Sequence, residues 1–304
     1  MPDRERPTVS VIIPVYDDYL SLLQCLDALA EQTYPDDRYE VVVVDNGTPD
    51  ERRASVDELH ECVRTTSEST PGSYAARNRG IAESTGEVLA FTDADCRPSP
   101  DWLEAGVRAL ASTPGVGLVG GPVCLYPREQ PPTCAEVWEL TEGFPQQKYV
   151  EELDFAATAN MLTRREVVDD VGDFDTDFRS GGDREWGERV ARAGYDQVFE
   201  SAARVRHPAR RHLRDLLGKT VRTTRGDYRR MDKLGEWTAL GRPRRIAQSI
   251  VELALAVPKA GWRSVARAND GTDRLKYACA DVAVRATKES TLAGLLLTRA
   301  LDRT

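Results

Sequence analysis

The chain has 304 residues, of which 40% are hydrophobic and 30% charged, and its formal charge at pH 7 is −9. This composition excludes fibrous, collagen-like and wholly disordered proteins, and the length suffices for one large domain, or one domain with an appendage, around a substantial core. Since no stretch approaches ~18 uninterrupted apolar residues and the N-terminal residues lack an apolar core, we expect no membrane span and no signal peptide.

The charge is divided unevenly along the chain. Residues 201–304 carry 23 basic and 10 acidic side chains, about +13, whereas residues 1–200 carry 18 basic and 40 acidic ones, about −22. A basic region on an acidic protein commonly faces an anionic partner. Only six of the 41 basic residues are lysines. An acidic, lysine-poor chain is typical of a halophilic archaeal protein, although a GC-rich genome also replaces lysine with arginine.

Hydrophobic patterns in the first 120 residues alternate between strands and helices. Apolar runs ending in acidic or turn residues predict strands, and apolar residues three and four positions apart predict helices. The predicted strands cover residues 8–16, 41–44, 87–95 and 116–120, and the predicted helices cover 19–31, about 48–63, 73–84 and 101–112.

The remaining residues are less regular. Residues 122–155 are rich in proline, and we expect an irregular loop over a site. A helix is predicted at 183–193, and basic helical segments follow at 211–234, 244–257 and 276–301. The six cysteines form no C-x-x-C pair, so we expect them to be reduced and mostly buried.

Apolar strands that alternate with helices predict an α/β fold with a parallel sheet covered on both faces. Ligands of such sheets bind beyond the carboxyl ends of the strands. Acidic residues follow three predicted strands: Asp17 and Asp18, Asp45, and Asp93 with Asp95. Carboxylates at three strand ends indicate a pocket for a cation or a sugar nucleotide.

Five segments carry a family resemblance, in the order VSVIIPVYDD, VVVVDNGTPD, PGSYAARNRGI, FTDADCRPSPDWL and FRSGGDREWGERVARAGY. Together they resemble family 2 glycosyltransferases, over roughly residues 8–210. The resemblance implies a GT-A fold, a Rossmann-like, mostly parallel sheet with helices on both faces. It implies a catalytic domain at 1–210, and the basic helical pattern that follows predicts an amphipathic helical extension at 211–304. The implied reaction is inverting, metal-dependent transfer of a sugar from a nucleoside diphosphate to an acceptor hydroxyl.

The resemblance also implies the donor and metal site. Asp93-Ala94-Asp95 matches the family's DxD motif, in which Asp95 is the first candidate ligand of Mn²⁺ or Mg²⁺ and Asp93 contacts ribose or metal. His207 is a further candidate ligand. Asp45 matches an aspartate that binds the base, so UDP is favoured and GDP stays open. The donor-binding candidates are Pro14, Tyr16, Asp17, Asp45, Arg77, Asn78 and Asp93.

Inversion needs a base that deprotonates the attacking hydroxyl. By resemblance Asp183 is that catalytic base, and Glu185 and Arg189 support it one helical turn apart. Many relatives have Glu where this chain has Gly182, so a catalytically silent subunit is an alternative. Asn160 and Arg164 are candidates on the acceptor side.

The basic C-terminal third suits a protein lying on an anionic membrane surface, at the cytoplasmic face. The acceptor would then be a lipid-linked glycan of the dolichyl-phosphate type, in protein N-glycosylation for a surface layer. Another surface polysaccharide or glycolipid is an alternative acceptor, and arginines packed against the acidic domain are the alternative to membrane binding. A nucleotidyltransferase is an alternative class of enzyme, but it would need a glycine-rich, basic loop after the first strand, where this chain has PVYDDY. A nucleic-acid partner is not expected, since few aromatic residues lie among the arginines.

Overall fold

The computed structural model describes residues 6–49, 63–235, 241–267 and 271–301. The chain divides into two compact units. We call Met1–Cys124 with Phe144–His207 the sheet unit, and Leu125–Gly143 with Pro208–Thr304 the helical unit. The helix predicted up to about Val63 falls largely on residues 50–62, which lie outside the described residues, and Val63 itself begins a strand.

Ten strands form in the described part of the chain. They are β1 (Val9–Val15), β2 (Tyr39–Asp45), β3 (Val63–Ser67), β4 (Val88–Thr92), β5 (Arg97–Pro98), β6 (Val116–Gly120), β7 (Val123–Tyr126), β8 (Asn160–Arg164), β9 (Asp196–Phe199) and β10 (Val205–Pro208). Seven of them make one sheet in the order β3-β2-β1-β4-β8-β6-β9. Only β8 runs antiparallel to its neighbours, so the prediction of a mostly parallel α/β sheet is confirmed.

The central strands β1 and β4 are mostly apolar and buried because both faces of the sheet are covered. Successive side chains of β1 point to opposite faces. Val11 and Ile13 belong to one core cluster with Leu22 of a neighbouring helix, whereas Ile12 belongs to a second cluster with Trp186. The hydrophobic effect therefore fixes helices on both sides of the sheet.

Six helices of the sheet unit are described. They are α1 (Tyr19–Ala30), α2 (Ser73–Glu83), α3 (Trp102–Ala111), α5 (Gln146–Leu153), α6 (Arg165–Val171) and α7 (Gly182–Arg192). The helices predicted at 19–31, 73–84, 101–112 and 183–193 are confirmed to within one residue at each end. Asp18 caps α1, since its side chain accepts a hydrogen bond from Ser21 N at 3.3 Å.

The expectation that residues 122–155 are irregular is wrong, because α4 (Cys134–Glu142) and α5 lie within them. A capping box starts α4: Thr133 Oγ1 accepts from Glu136 N at 3.3 Å, and the Glu136 carboxylate accepts from Thr133 N at 2.8 Å. The prolines of this stretch precede the two helices and interrupt neither.

The helical unit contains α4, α8 (Leu213–Lys233), α9 (Gly241–Ala254), α10 (Ala256–Arg267) and α11 (Gly271–Leu301). The long helix α11 contacts all four of the others. The predicted segments 211–234 and 276–301 are confirmed as helices, whereas the segment 244–257 is divided between α9 and α10. In the described part of the chain, no helix is both long enough and apolar enough to cross a membrane.

Among the described residues of the helical unit, three arginines and one lysine pair with Glu139 or Glu142 of α4. Glu139 is almost fully buried, and its Oε1 lies 2.7 Å from Arg210 Nη1 and 3.1 Å from Lys219 Nζ. Glu142 accepts from Arg263 at 2.7 Å. Burial alone would raise the pKa of Glu139, but the two cations hold it below the ordinary carboxyl value. Part of the basic charge therefore stabilises this unit internally.

The cysteines depart from expectation. Cys25 and Cys96 are buried, but Cys124 and Cys279 are exposed and Cys134 is half-buried. Cys62 lies outside the described residues. The prediction that they are mostly buried is therefore wrong for the described cysteines, three of which remain accessible to solvent.

Candidate active site

The acidic strand ends predicted from the sequence meet at one edge of the sheet. β1 is parallel to both β2 and β4, and Val15 at the end of β1 lies opposite Asp45 at the end of β2. Asp93 follows the end of β4 directly. The topology therefore places the carboxylates of three strands on the side where α/β sheets bind ligands.

A group of potential metal ligands follows β4. Ligand atoms of Asp93, Asp95, Cys96 and His207 all lie within 4.8 Å of one another. His207 comes from β10, which is antiparallel to β5, and its Nε2 is 3.4 Å from Asp95 Oδ1. The short β5 follows Asp95 in sequence, so the pairing of β5 with β10 brings the distant histidine to the DxD segment.

The chemistry of these donors fits a divalent cation such as Mn²⁺ or Mg²⁺. Carboxylate oxygens suit both ions, and an imidazole nitrogen suits transition metals. Cys96 does not fit such an ion, because its thiol is fully buried and lies 3.7 Å from the Ala159 carbonyl oxygen. Burial, reinforced by Asp93 and Asp95, raises the pKa of this thiol well above its ordinary value, so it remains protonated. Asp93, Asp95 and His207 are thus the residues that could hold the metal.

Arg77 connects α2 to this cluster. Its Nη2 donates to Asp93 Oδ1 at 2.6 Å, and the residue is only 3% exposed. Its guanidinium carbon also lies 5.6 Å from the centre of the Tyr74 ring. A buried guanidinium beside a carboxylate forms a strong, charge-assisted hydrogen bond. Arg77 therefore holds Asp93 in place from the adjacent helix.

Asn78 makes different contacts. Its Nδ2 donates to the Phe174 carbonyl oxygen at 2.8 Å, and its Oδ1 accepts from Phe174 N at 3.1 Å. The amide thus ties α2 to the segment that follows α6. Its assignment to donor binding stays a prediction.

The predicted nucleoside end of the site combines a buried acid with an exposed aromatic. Asp45 Oδ1 accepts from the backbone nitrogens of Gly47 at 2.9 Å and Thr48 at 2.8 Å. Its Oδ2 accepts from the Tyr19 hydroxyl at 2.5 Å. Tyr16 is 67% exposed, so its ring is available to a ligand.

The turn after β1 is held in a restricted conformation. Asp17 has a φ of +55°, in the left-handed region, and its backbone N donates to Thr48 Oγ1 at 2.9 Å. This bond joins the end of β1 to the loop after β2. Pro14, one residue before the last residue of β1, is half-buried in the same strand. The predicted nucleoside residues are therefore close in the fold.

Asp183 is the second residue of α7. Its Oδ1 accepts from the Tyr74 hydroxyl at 3.1 Å and from Arg184 N at 3.0 Å. Burial raises the pKa of Asp183 above the ordinary carboxyl value, although Arg77 and these hydrogen bonds oppose the shift. A carboxylate with a raised pKa accepts a proton more readily, which suits a general base.

Glu185 and Arg189 make structural contacts on α7. Arg189 Nε and Nη2 donate to the two carboxylate oxygens of Glu185 at 3.0 and 3.1 Å. Arg189 Nη2 also donates to the Asp173 carbonyl oxygen at 2.7 Å. The bidentate pair fixes the Arg189 guanidinium, whose bond to Asp173 ties α7 to the segment after α6 and so orients the helix that carries Asp183.

The acceptor-side candidates have buried or backbone-bound polar groups. Asn160 is fully buried, accepts from Trp102 Nε1 at 2.8 Å and donates to the carbonyl oxygens of Pro122 and Ala203. Arg164 donates to the Leu110 carbonyl oxygen at 2.6 Å. The expectation that Asn160 faces an acceptor is wrong, because its amide joins three segments inside the sheet unit.

Sequence reasoning missed two tyrosines, Tyr19 and Tyr74. Each donates to a carboxylate of the site, Asp45 and Asp183 respectively. Tyr74 adjoins the A-A-R-N segment of α2, three residues before Arg77, which is one helical turn. That spacing was the one available signal that it faces the same site.

Residues 10–172 match the protein family described as glycosyl transferase family 2. The chain is 38% identical over 253 residues to glycosyltransferase AglE of Haloferax volcanii, covering 77% of this chain and 81% of that protein. It is 26% identical over 216 residues to a glucosyl-dolichyl phosphate glucuronosyltransferase of the same organism, covering 66% of this chain and 68% of that protein.

Solved structures show the same fold. The mannosyltransferase PcManGT of Pyrobaculum calidifontis, solved in complex with GDP-Man and Mn²⁺, matches with a TM-score of 0.61 at 21% identity. The match covers 99% of this chain and 77% of that one.

Proposed function

Because the chain belongs to glycosyltransferase family 2, we propose that it is an inverting, metal-dependent enzyme acting on a lipid-linked glycan. The glycosyltransferase activity and the GT-A fold expected from the sequence are confirmed by the family match and the relatives. The donor is a sugar on a nucleoside diphosphate, with UDP favoured by Asp45. The acceptor is a hydroxyl of a dolichyl-phosphate-type glycan, in N-glycosylation for a surface layer.

One observation supports this mechanism most strongly. Asp93 of the candidate metal cluster pairs with Arg77, and the neighbouring Tyr74 on α2 bonds Asp183. A bound divalent cation would neutralise the negative charge that grows on the departing diphosphate. Asp93, Asp95 and His207 would hold that cation, and Arg77 keeps Asp93 oriented.

Asp183 would accept the proton of the attacking hydroxyl. As the acceptor oxygen bonds to the anomeric carbon, the bond from that carbon to the diphosphate breaks, and the hydroxyl proton passes to the carboxylate. Attack opposite to the leaving group inverts the configuration. The raised pKa of Asp183 favours this proton transfer.

Calorimetric titration with a panel of nucleotide sugars, in molar KCl with and without Mn²⁺, tests the donor proposal. We expect one UDP-sugar to bind only when Mn²⁺ is present, because the diphosphate needs the cation held by the cluster. Selective binding of a GDP-sugar would overturn the choice of UDP as the donor nucleotide. A folded protein that binds no donor would instead favour a catalytically silent subunit, the alternative that Gly182 raises.

The helical unit supports the membrane part of the proposal. Helix α8 carries seven basic and three acidic side chains. Five of the basic ones are exposed at positions three, four or eight residues apart, so they share one face of the helix. We call this set the basic stripe; it consists of Arg214, Arg222, Arg225, Arg229 and Lys233.

Exposed apolar side chains occur in the same unit. They cluster around the junction of α9 and α10, at Val251, Leu253, Leu255 and Val257, each at least 40% exposed. Basic and apolar groups together suit a peripheral protein on the anionic, cytoplasmic face of a membrane. The glucosyl-dolichyl phosphate glucuronosyltransferase of Haloferax volcanii, to which the chain is similar, is named for a dolichyl-phosphate acceptor, which is consistent with an acceptor held in that membrane.

Removing two charges of the basic stripe tests membrane binding. We expect Arg222→Gln/Arg225→Gln to bind phosphatidylglycerol-containing vesicles about 30-fold more weakly than wild type in low salt. Each basic residue near an anionic surface contributes about 1 kcal/mol, and molar KCl should reduce the difference. Vesicle co-sedimentation measures the partition.

The matched control is Arg108→Gln/Arg192→Gln, which removes two exposed arginines from the sheet unit. It should bind like wild type. Equal loss in both variants, or equal binding to neutral phosphatidylcholine vesicles, would contradict membrane recognition by the basic stripe. The arginines would then serve internal pairing, as Arg210 and Lys219 do with Glu139.

A further inference from the structure

The ring of Tyr74 lies against Gly182, the residue that precedes the predicted catalytic base Asp183. A Cβ atom added to Gly182 would lie 2.8 Å from Tyr74 Cε2 and 2.9 Å from its Cδ2. Such distances are shorter than packed side chains tolerate, so the tyrosine ring fills the place that a side chain at 182 would need. The absence of a side chain at Gly182 is therefore matched by a bulky residue on α2.

The tyrosine is held rigidly in that place. It is 5% exposed, and its ring lies 5.7 Å from the ring of Phe174 between centroids. Its hydroxyl donates to Asp183 Oδ1 at 3.1 Å. One turn along α2, Arg77 bonds Asp93. A single helix thus contacts both the predicted base and the predicted metal cluster.

From this geometry we propose that Tyr74 is a positioning residue, which fixes the Asp183 carboxylate for proton transfer and aligns it with the Asp93 cluster through α2. The inference rests on the proposed role of Asp183 as the base. Tyr74 acts through Asp183 by donating a hydrogen bond, and its ring replaces the packing that a side chain at 182 would supply.

The groups that face Asp183 determine how loss of the Tyr74 hydroxyl would change its proton affinity. Tyr74 and Arg77 face it from α2, the Arg184 nitrogen from α7 itself, and the Thr158 backbone from the segment before β8. Burial raises the pKa of the Tyr74 phenol, so this hydroxyl remains a donor. Its hydrogen bond favours the ionised carboxylate, and removing it should raise the pKa of Asp183.

The test is Tyr74→Phe, which keeps the ring over Gly182 and removes only the hydroxyl. We expect Asp183 to gain about 10-fold in proton affinity, since hydrogen bonds to charged groups are the stronger ones. Titration of the Asp183 carboxyl by ¹³C NMR measures this without any substrate, and Asp183→Asn assigns the signal. In turnover, kcat should fall about 10-fold because the carboxylate loses the hydrogen bond that fixes its orientation, and the donor KM should not change. The acidic limb of the pH profile should move to higher pH.

Tyr195→Phe is the matched control, because the Tyr195 hydroxyl also bonds a carboxylate, that of Asp170, in the same unit. It should leave the Asp183 titration and turnover unchanged. In Tyr74→Phe/Asp183→Asn we expect no further loss beyond Asp183→Asn alone, since Tyr74 acts through that carboxylate.

The outcomes separate the two hypotheses. Wild-type turnover by Asp183→Asn would overturn the base assignment in the proposed function. A slow Asp183→Asn together with an unshifted titration of Tyr74→Phe would overturn only the role of Tyr74. Losses that multiply in the double variant would also overturn it, because Tyr74 would then act independently.

Discussion

Asp95→Ala should abolish Mn²⁺-dependent donor binding, weakening donor affinity by at least about 100-fold. Asp95 is one of three residues that could hold the cation, and His207 lies 3.4 Å from its Oδ1. Its loss leaves one carboxylate, Asp93, which already pairs with Arg77. Even residues that only orient metal ligands typically contribute 10–100-fold to metal affinity, so a direct ligand should contribute no less.

Calorimetry with Mn²⁺ and the nucleotide sugar that wild type binds measures the effect of Asp95→Ala on donor affinity. The shift in melting temperature caused by Mn²⁺ alone gives an independent measure of metal binding. Asp169→Ala is the control, since it removes an exposed carboxylate of α6 in the same unit. Asp169→Ala should bind metal and donor as wild type does. Metal-dependent donor binding of wild-type strength by Asp95→Ala would remove Asp95 from the metal site.

Local sequence patterns were sufficient to predict β1, β2 and β4, because each contains a short, mostly apolar run with an acidic residue at its end or within two residues after it. The antiparallel β8 was not predicted. Its residues, Asn160–Arg164, include three polar side chains and no strict alternation, yet all but Arg164 are buried. Burial between β4 and β6 is a tertiary property, and no local pattern encodes it.

Residues 122–155 show the same limit. The prolines of residues 122–155 suggested a loop, but α4 and α5 begin directly after prolines or a capping threonine. α4 is then stabilised by partners far along the chain, as when Trp138 Nε1 donates to Asp281 Oδ1 at 3.2 Å. Contacts across more than 140 residues cannot be derived from local periodicity.

The candidate site was predictable where a residue's chemistry has few uses. Asp93 and Asp95 follow an apolar strand. Arg77 bonds Asp93 because a buried cation needs an anionic partner. Amides are ambiguous, since the same groups bind backbone or ligand. Asn78 and Asn160 both bond backbone atoms here, and only the fold reveals this.

Asp183→Asn should keep donor and metal binding within about threefold of wild type and lower kcat by about 10³-fold. General bases typically contribute 10²–10⁴-fold, and asparagine keeps the size of the side chain without accepting the proton. The metal cluster has contacts of its own, from Arg77 Nη2 to Asp93 Oδ1 at 2.6 Å and from His207 Nε2 to Asp95 Oδ1 at 3.4 Å. Binding and chemistry should therefore separate in this variant.

The pH dependence of wild type gives the complementary test for Asp183. Because the base must be ionised, turnover should fall as pH drops through its pKa, which burial holds above the ordinary carboxyl value. This acidic limb should vanish from the residual activity of Asp183→Asn and persist in the control Asp169→Asn. An Asp183→Asn enzyme with wild-type kcat and an intact limb would mean that another group takes the proton. With an intact metal cluster, that result would move the search for the base away from α7.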